Sequence, residues 1–426
     1  MTQSDANSAE SGDADGPASS PELGDDPVRV QDRHRGSNQV GMRLYNERLA
    51  LSLIRQQGSL PKSEIARQTG LTAQTISVIL KQLEIDGLVR KEKPLRGQVG
   101  QPRVPISLNP NGAYSFGLKI GRRSSDLVLM DFVGTVKRSI HETFAYPTPD
   151  GLKTFVRNGI ASMTESLSQA QKTRLSGIGI ATPFELWSWA SEVGAPSQVM
   201  DQWRSFDTRQ QIERLTGLKA ELYNDATAAC AAELFFGNPS QYQDFLYLYI
   251  GSFIGGGVVI GGNLFAGPTG NAGAVGSMPV PAGNGATGTR QLITAASNYS
   301  LEKRLLAAGR DSSVIWRSPD DWGDLGTILD DWINDVSPAI ACAIVSAISV
   351  IDFSAVLIDG AFPATVRHRI VSRTGEAMKR LDRQGLSPVE LAEGTLGGNA
   401  RAVGAASLPL LANFAPDSDI LLKGAR

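Results

Sequence analysis

The strongest constraint on the fold is a pairing of apolar segments that occurs twice. Tyr114-Ser-Phe-Gly-Leu-Lys-Ile-Gly121 is followed closely by Asp126-Leu-Val-Leu-Met-Asp131, and Phe245-Leu-Tyr-Leu-Tyr-Ile-Gly251 by Gly256-Gly-Val-Val-Ile-Gly-Gly262. Short runs rich in β-branched and aromatic residues, punctuated by glycine, read as strands joined in hairpins. After the first pair, a helical pattern near 150–170 precedes the strand Gly177-Ile-Gly-Ile-Ala181. After the second come helices near 299–308, 327–351 and 364–384, with the strand Ala355-Val-Leu-Ile-Asp359-Gly360 among them. Strand pairs alternating with helices predict an α/β body of two lobes, with a cleft between them as the default place for a small ligand.

The body does not account for the whole chain of 426 residues, and charge marks the division. Residues 1–40 carry 3 basic and 8 acidic residues, 41–105 carry 11 and 5, and 106–426 carry 27 and 30. The first segment is polar and poor in large apolar residues, so it is expected to be a disordered acidic tail. The second has the electrostatic footprint of a DNA-binding domain, attached to a nearly neutral body. The expected units are therefore the tail at 1–40, a head at 41–110, lobes at 111–235 and 236–412, and a C-terminal tail at 413–426. The last helix is allowed to return to the first lobe. Cys230 and Cys342 form neither a disulfide framework nor a CxxC site, which suits a reducing compartment. The uncharged apolar stretch Ala339–Ile351 is 13 residues long, where a membrane span needs about 20. The N-terminus lacks the basic and apolar regions of a secretory signal. The expectation is a cytoplasmic protein without a membrane partner.

Within the head, Gly41 to Gln57 reads as a helix ended by Gly58. Pro61 to Gln68 reads as a second, with Ser59 as its cap, and Gly70-Leu71 as a tight turn. Thr72 then caps a third helix to about Glu84, in which Ile76, Ile79, Leu80 and Leu83 form a buried stripe. Gln74, Thr75, Ser77 and Lys81 are left facing outward, as in a recognition helix: amide and hydroxyl groups read base edges and the lysine meets phosphate. Two short strands, 88–92 and 104–108, enclose Arg96-Gly-Gln-Val-Gly100-Gln101-Pro102-Arg103. A basic, glycine-rich hairpin of this kind is thin enough to enter a minor groove, with Arg96, Gln101, Pro102 and Arg103 as its contacts. The pattern is a winged helix-turn-helix; the plainer alternative is a small protein-interaction module with a solvated basic face. Two such heads on a twofold axis would bind a pseudo-palindromic double-stranded operator with A·T-rich flanks, which predicts a homodimer or a tetramer.

The body offers little enzymatic chemistry. Gly283-Asn-Gly285-Ala-Thr-Gly288 matches GxGxxG but follows a proline-rich segment, so a loop is expected. Ser300-Leu-Glu-Lys303 matches SxxK without companion motifs. His34, His141 and His368 have no metal-ligand spacing. Asn224-Asp225 follows a strand and opens the small-residue helix 226–232. The pair can bind hydroxyls or supply a base, and it can equally cap the helix.

Taken in order, the winged helix, Gly177-Ile-Gly-Ile-Ala-Thr-Pro183, Asn224-Asp225-Ala226, Ile250-Gly-Ser-Phe-Ile-Gly255-Gly-Gly-Val-Val and Gly270-Asn-Ala-Gly273-Ala-Val-Gly276-Ser277-Met-Pro-Val resemble the ROK family (repressor, open reading frame, kinase) over about 43–412. The resemblance implies an N-terminal winged helix-turn-helix on a two-lobed, actin-like ATPase-type (ribonuclease H-like) sugar-kinase fold. It also implies that Asp225 stands where the family's kinases keep their catalytic base. Three departures point away from catalysis. The phosphate-cradling Asp-x-Gly-Gly-Thr loop is Lys119-Ile-Gly-Arg122-Arg123 here, and phosphoryl transfer depends on positioning and neutralising the phosphates. The family's Glu-x-Gly-His positions match Ala274 and Ser277. The family's cysteine zinc ligands have no counterpart in Pro281–Leu292, so neither zinc nor another cofactor is expected.

The implied function is a transcriptional regulator, a repressor of carbohydrate uptake or catabolism genes. A sugar or polyol would bind between the lobes at Asn224, Asp225, Gly256, Ala274 and Ser277 and modulate operator binding. A sugar kinase with a fused DNA-binding head and a ligand-independent DNA-binding protein are the alternatives. Trp187, Trp189 and Trp203 come near the expected cleft edge, where an aromatic face can stack on a sugar, although core packing is the favoured role.

Overall fold

The computed structural model describes residues 39–94, 103–189, 194–237, 242–283 and 287–416. The expected N-terminal tail up to residue 38 and the wing-tip candidates Arg96, Gln101 and Pro102 lie outside the described residues, as does the side chain of Trp189. Helices of at least eight residues are numbered below.

The head comprises α1 (Gln39–Gln57), β1 (Ser59–Pro61), α2 (Lys62–Thr69), α3 (Ala73–Ile85), β2 (Val89–Lys91) and β3 (Pro105–Leu108). Helix α1 begins two residues inside the segment expected to be tail. Ser59 is not a helix cap: it lies in β1, paired with Ser107 of β3, because the segment after Gly58 completes a three-stranded sheet of order β1-β3-β2. Pro61 ends that strand in an extended conformation, so α2 starts at Lys62 without a side-chain cap. Gly70 turns the chain at φ 70°, and the Thr72 hydroxyl accepts the Thr75 amide to open α3. Ala50, Leu51 and Ile54 of α1 pack with Ile65, Ile76, Ile79, Leu80 and Leu83, so the stripe read in α3 is buried.

The two lobes repeat one plan. In the first, β4 (Tyr114–Ile120), β5 (Ser124–Asp131), β6 (Val136–Thr143), β7 (Leu175–Thr182) and β8 (Ala220–Asn224) form a sheet of order β6-β5-β4-β7-β8. In the second, β9 (Phe245–Ile250), β10 (Ile254–Ile260), β11 (Asn263–Phe265), β14 (Ala355–Gly360) and β15 (Glu390–Glu393) are ordered β11-β10-β9-β14-β15. Each sheet thus has three antiparallel strands followed by two parallel ones. Between β11 and β14 lies the antiparallel pair β12 (Pro279–Pro281) and β13 (Thr289–Gln291); residues 284–286 of the GxGxxG match between them lie outside the described residues.

Helices α4 (Pro149–Glu165), α5 (Thr208–Thr216) and α6 (Asp225–Phe236) belong to the first lobe; α7 (Asn298–Ala307), α8 (Thr327–Ile348) and α9 (Ala364–Met378) belong to the second. Ser300 of the SxxK match has a structural role, its hydroxyl accepting the Trp332 indole N–H at 2.8 Å. No helix among the described residues is long and apolar enough to cross a membrane.

The last helix, α10 (Ala400–Phe414), returns to the first lobe and runs two residues past the expected start of the C-terminal tail. It lies between β4 and β7 on one side and α6 on the other. Only glycine fits that spacing: a Cβ on Gly404 would fall 1.8 Å from the Ala228 carbonyl oxygen, and one on Gly179 1.8 Å from that of Ala405. This spacing is the physical reason for Gly179 and for the alanine-rich surface of α6, while Gly177 is required by its φ of 142° and the Lys219 carbonyl beside it.

Candidate functional site

Two surfaces carry chemistry. On the head, Gln74, Ser77 and Lys81 are exposed along α3, and Arg103 is exposed at the foot of the wing. Thr75 differs from expectation. It is half-buried, and its hydroxyl is 2.8 Å from that of Thr72, so it belongs to the cap that starts the helix.

The second surface is a cavity of about 310 Å³ between the lobes. It is lined by all five residues expected to hold a ligand: Asn224, Asp225, Gly256, Ala274 and Ser277. Asn224 and Asp225 are at the junction of β8 and α6, where the Asn224 side-chain oxygen accepts the Ala226 amide at 3.0 Å. Asn224 thus caps the helix, one of the two readings of this pair, and the same junction lines the cavity. Gly256 and Gly273 let two backbone segments meet, since a Cβ on Gly256 would fall 2.8 Å from the Gly273 carbonyl oxygen. Gly255, Gly256, Gly273 and Gly276 thus build a cavity wall from closely apposed backbone.

Asp225 is not poised as a lone base. Arg401, in the first turn of α10, places Nη1 3.1 Å from its carboxylate, and the two side chains are 13% and 16% exposed. The guanidinium lies over the Tyr249 ring at 5.1 Å, and its Nε is buried without a hydrogen-bond partner. Burial opposes the charge on Arg401, but Tyr249 and Asp225 outweigh it and hold the guanidinium above its ordinary range. Burial pushes the Tyr249 hydroxyl up to about 12. The segment just before α10 is anchored by Asp359, a fully buried carboxylate that accepts from the Gly397 amide, from Tyr247 and from Arg367.

The place of a phosphate loop is occupied differently. The Lys119 ammonium turns back into the β4–β5 hairpin, 2.7 Å from the Ser124 hydroxyl and 3.0 Å from Asp126. Burial lowers the Lys119 pKa despite this pairing. Burial would raise Asp126, yet Lys119 and His141 hold it below the usual carboxylate range. Arg122 lines the cavity with its guanidinium 4.6 Å from the Phe253 ring. No group of three or more potential metal ligands occurs among the described residues.

Four contributors escaped the sequence reading: Arg401, Tyr249, Phe253 and Glu185. Glu185 is the non-glycine residue found at positive φ, 47°, among the described residues, a strained conformation at the cavity rim. Nothing in local sequence marks it, and Arg401 is 176 residues from Asp225.

Comparison with known proteins agrees with this architecture. The ROK family model matches residues 115–410. The chain belongs to the ROK family. A MarR family model matches residues 45–96, so the head is a MarR-type winged helix joined to a ROK body. The xylose repressor of Bacillus spizizenii is 25% identical over 244 residues, covering 57% of this chain and 62% of that relative, so the match spans less than two thirds of its length. A solved ROK family transcriptional regulator, a homologue of the Escherichia coli Mlc protein, shares the fold at TM-score 0.62 and 18% identity over 90% of this chain and all of that one. A ROK family glucokinase from Streptomyces griseus, solved with glucose and AMPPNP, has TM-score 0.53 and 21% identity over 70% of this chain and 99% of that one. Regulators and kinases of the family thus share the body fold, and function turns on the residues of the site.

Proposed function

We propose that the protein is a ROK-type DNA-binding regulator, a repressor of carbohydrate uptake or catabolism genes, whose operator binding responds to a sugar or polyol held between the lobes. One observation carries the reading: helix α10 serves both surfaces. Its first turn supplies Arg401 to the cavity, while Ala402, Val403, Ala406 and Leu410 share a core with Leu51 and Ile54 of α1 in the head. At its end Phe414 stacks edge-on against Phe132 with ring centroids 4.8 Å apart, and the Ala415 carbonyl accepts from Arg48 of α1 at 3.2 Å. A ligand that engages Asp225 competes with Arg401, and any shift of Arg401 is delivered to the head by a helix too tightly packed to deform. Such a ligand changes operator affinity only by binding one arrangement more tightly than the other.

In this reading Gln74 and Ser77 meet base edges, Lys81 and Arg103 meet phosphate or the minor groove, and Asn224, Asp225 and Ser277 hydrogen-bond the ligand's hydroxyls. The backbones of Gly256 and Ala274 shape the cavity. Asp225 is a binding residue: it is committed to Arg401, and the Lys119 side chain fills the hairpin where a kinase of the family cradles phosphate. The name of the xylose repressor relative supports a carbohydrate effector. The regulator acts as a dimer or tetramer on a pseudo-palindromic operator.

Fluorescence anisotropy of the full chain with its own upstream intergenic DNA, against scrambled DNA of equal composition at two salt concentrations, tests the proposal. Tight, salt-steep binding to the native fragment, released by a sugar, supports it. Equal weak binding to both fragments, or ATP-dependent phosphorylation of a sugar by the same preparation, overturns it.

A further inference from the structure

A second cavity, of about 670 Å³, adjoins the first and shares with it Pro183, Phe184, Glu185 and Asn224. The loop that supplies Gly273, Ala274 and Ser277 to the inner space supplies Ala266, Thr269 and Gly270 to the outer. The two are therefore successive chambers of one cleft, divided by the strained Glu185 turn. The inner chamber alone is at the lower end of the roughly 300–1,000 Å³ typical of small-molecule sites. The outer is more than twice as large.

The lining of the outer chamber differs in kind. Trp187, Trp203 and Phe206 form an aromatic wall, with Phe184 at the boundary. Trp203 is buried and fixed by donating its indole N–H to the Pro147 carbonyl at 3.1 Å, and it meets Phe206 edge-on at 5.3 Å. Core packing is thus part of its role, as expected, but one side of the cluster faces the cleft. Trp187 is only half-buried, with Arg204 5.7 Å from its ring centre. Phe184 is 55% exposed and Leu222 40% exposed, so both present apolar surface to the chamber. Asp207, Thr208, Arg209 and Glu221 supply hydrogen-bonding groups around this apolar surface. Flat aromatic faces rimmed by carboxylates, a hydroxyl and a guanidinium match the two-sided chemistry of a pyranose, which presents C–H groups on its faces and hydroxyls at its edge.

We propose that the outer chamber is a second sugar subsite, so that the effector is a disaccharide or longer oligosaccharide: one ring is held at Asn224 and Asp225 and the next stacks on the Trp187–Phe184 wall. This rests on the sugar-binding reading of the inner chamber and extends it. Continuity of the cleft is the argument for one ligand: the chambers share Pro183, Phe184, Glu185 and Asn224, so a substituent on a ring in the inner chamber has the outer one adjoining it.

Isothermal titration of the full chain with xylose, glucose, galactose and N-acetylglucosamine, and with the disaccharides xylobiose, cellobiose, maltose, melibiose and chitobiose, tests the assignment. At least one disaccharide is expected to bind tenfold or more tightly than its constituent monosaccharide. Trp187→Ala and Leu222→Ala, at residues that line the outer chamber and not the inner one, should each reduce that gain, Trp187→Ala removing most of it, and leave monosaccharide affinity within twofold. Leu222 is exposed, so its variant tests the outer chamber without a risk to folding, and Trp187→Phe should retain the gain. Equal binding of mono- and disaccharides, or an equal loss of both in the variants, overturns the second subsite and leaves the inner site standing. A gain with p-nitrophenyl glycosides but with no disaccharide overturns the sugar-ring assignment in favour of an aromatic aglycone. Binding of no member of the panel overturns the sugar reading itself, and this inference with it.

Discussion

Asp225 and Arg401 meet at 3.1 Å in a cavity where both are mostly shielded from water. Their pairing does two things that sequence motifs do not disclose. It neutralises the carboxylate that a kinase of this fold would use as a base, and it ties the cavity to the start of α10. Breaking a buried pair by removing one partner costs about 3–5 kcal/mol, because the other charge is left without compensation. Residual exposure should lower this here to about 2 kcal/mol. Arg401→Met is therefore expected to destabilise the fold more than Arg401→Met combined with Asp225→Asn. A double-mutant cycle in urea should return a coupling of about 1–3 kcal/mol; a coupling near zero would show the pair to be incidental. Asp225→Asn alone should leave operator affinity within about twofold while blunting release by the effector, measured by anisotropy. Asp225 was legible because it stands in a recognisable segment at a strand end. Arg401, Tyr249 and Glu185 were not, since their roles arise from a tertiary crossing and a backbone strain that no local periodicity records.

Among the elements, those with strong periodicity matched their reading, and the short strand β1, decided by a distant partner, did not. The stripe Ile76, Ile79, Leu80 and Leu83 marked α3 unambiguously, and the alternating apolar runs marked β4, β5, β9 and β10. Ser59–Pro61 was misjudged because a serine and proline before an apolar run suit a helix start as well as a short strand. Only the distant partner β3 decides between them. The crossing of α10 with α6 was also hidden, although its consequence is testable. Gly404 has the Ala228 carbonyl oxygen where a Cβ would go, with backbone on both sides. Overpacking typically costs about 1–3 kcal/mol and more where backbone must move, so Gly404→Val is expected to lower stability by about 3 kcal/mol or more. Calorimetry that finds no loss would mean the two helices are not in this register. On the head, Lys81 is exposed on α3. Lys81→Ala should weaken binding to all DNA sequences alike and reduce the salt slope by about 1, whereas Gln74→Ala should cost about 1–3 kcal/mol on the native operator alone. The reverse pattern would reassign which side of α3 faces the bases.

At the scale of the molecule, the head and the body share a continuous apolar core instead of a linker. Leu51, Ile54 and Ile106 of the head join Phe132, Val403 and Leu410 of the body in one cluster. Arg55 of α1 is half-buried against it, its Nε and Nη2 out of contact with water, 5.1 Å from the Phe132 ring and 5.6 Å from that of Phe235, and desolvation lowers its pKa to about 10. This partly desolvated charge rests on two aromatic faces, so a shift of the head relative to the body repacks this contact. That makes the junction a candidate two-state element, and a coupling free energy between cavity and DNA of about 1–3 kcal/mol is the ordinary range for such a device. Phe414 closes the contact from the end of α10 by packing on Phe132. Phe414→Ala should loosen the junction without touching either binding surface. Effector affinity measured without DNA and operator affinity measured without effector should each stay within about threefold of wild type, while the effect of one on the other falls below twofold. Linkage requires that loss to be equal in both directions, so titrating effector in the presence of operator must show the same reduction as titrating operator in the presence of effector. An undiminished response in Phe414→Ala would place the coupling outside α10 and remove the mechanical basis on which Arg401 is read as the sensing residue.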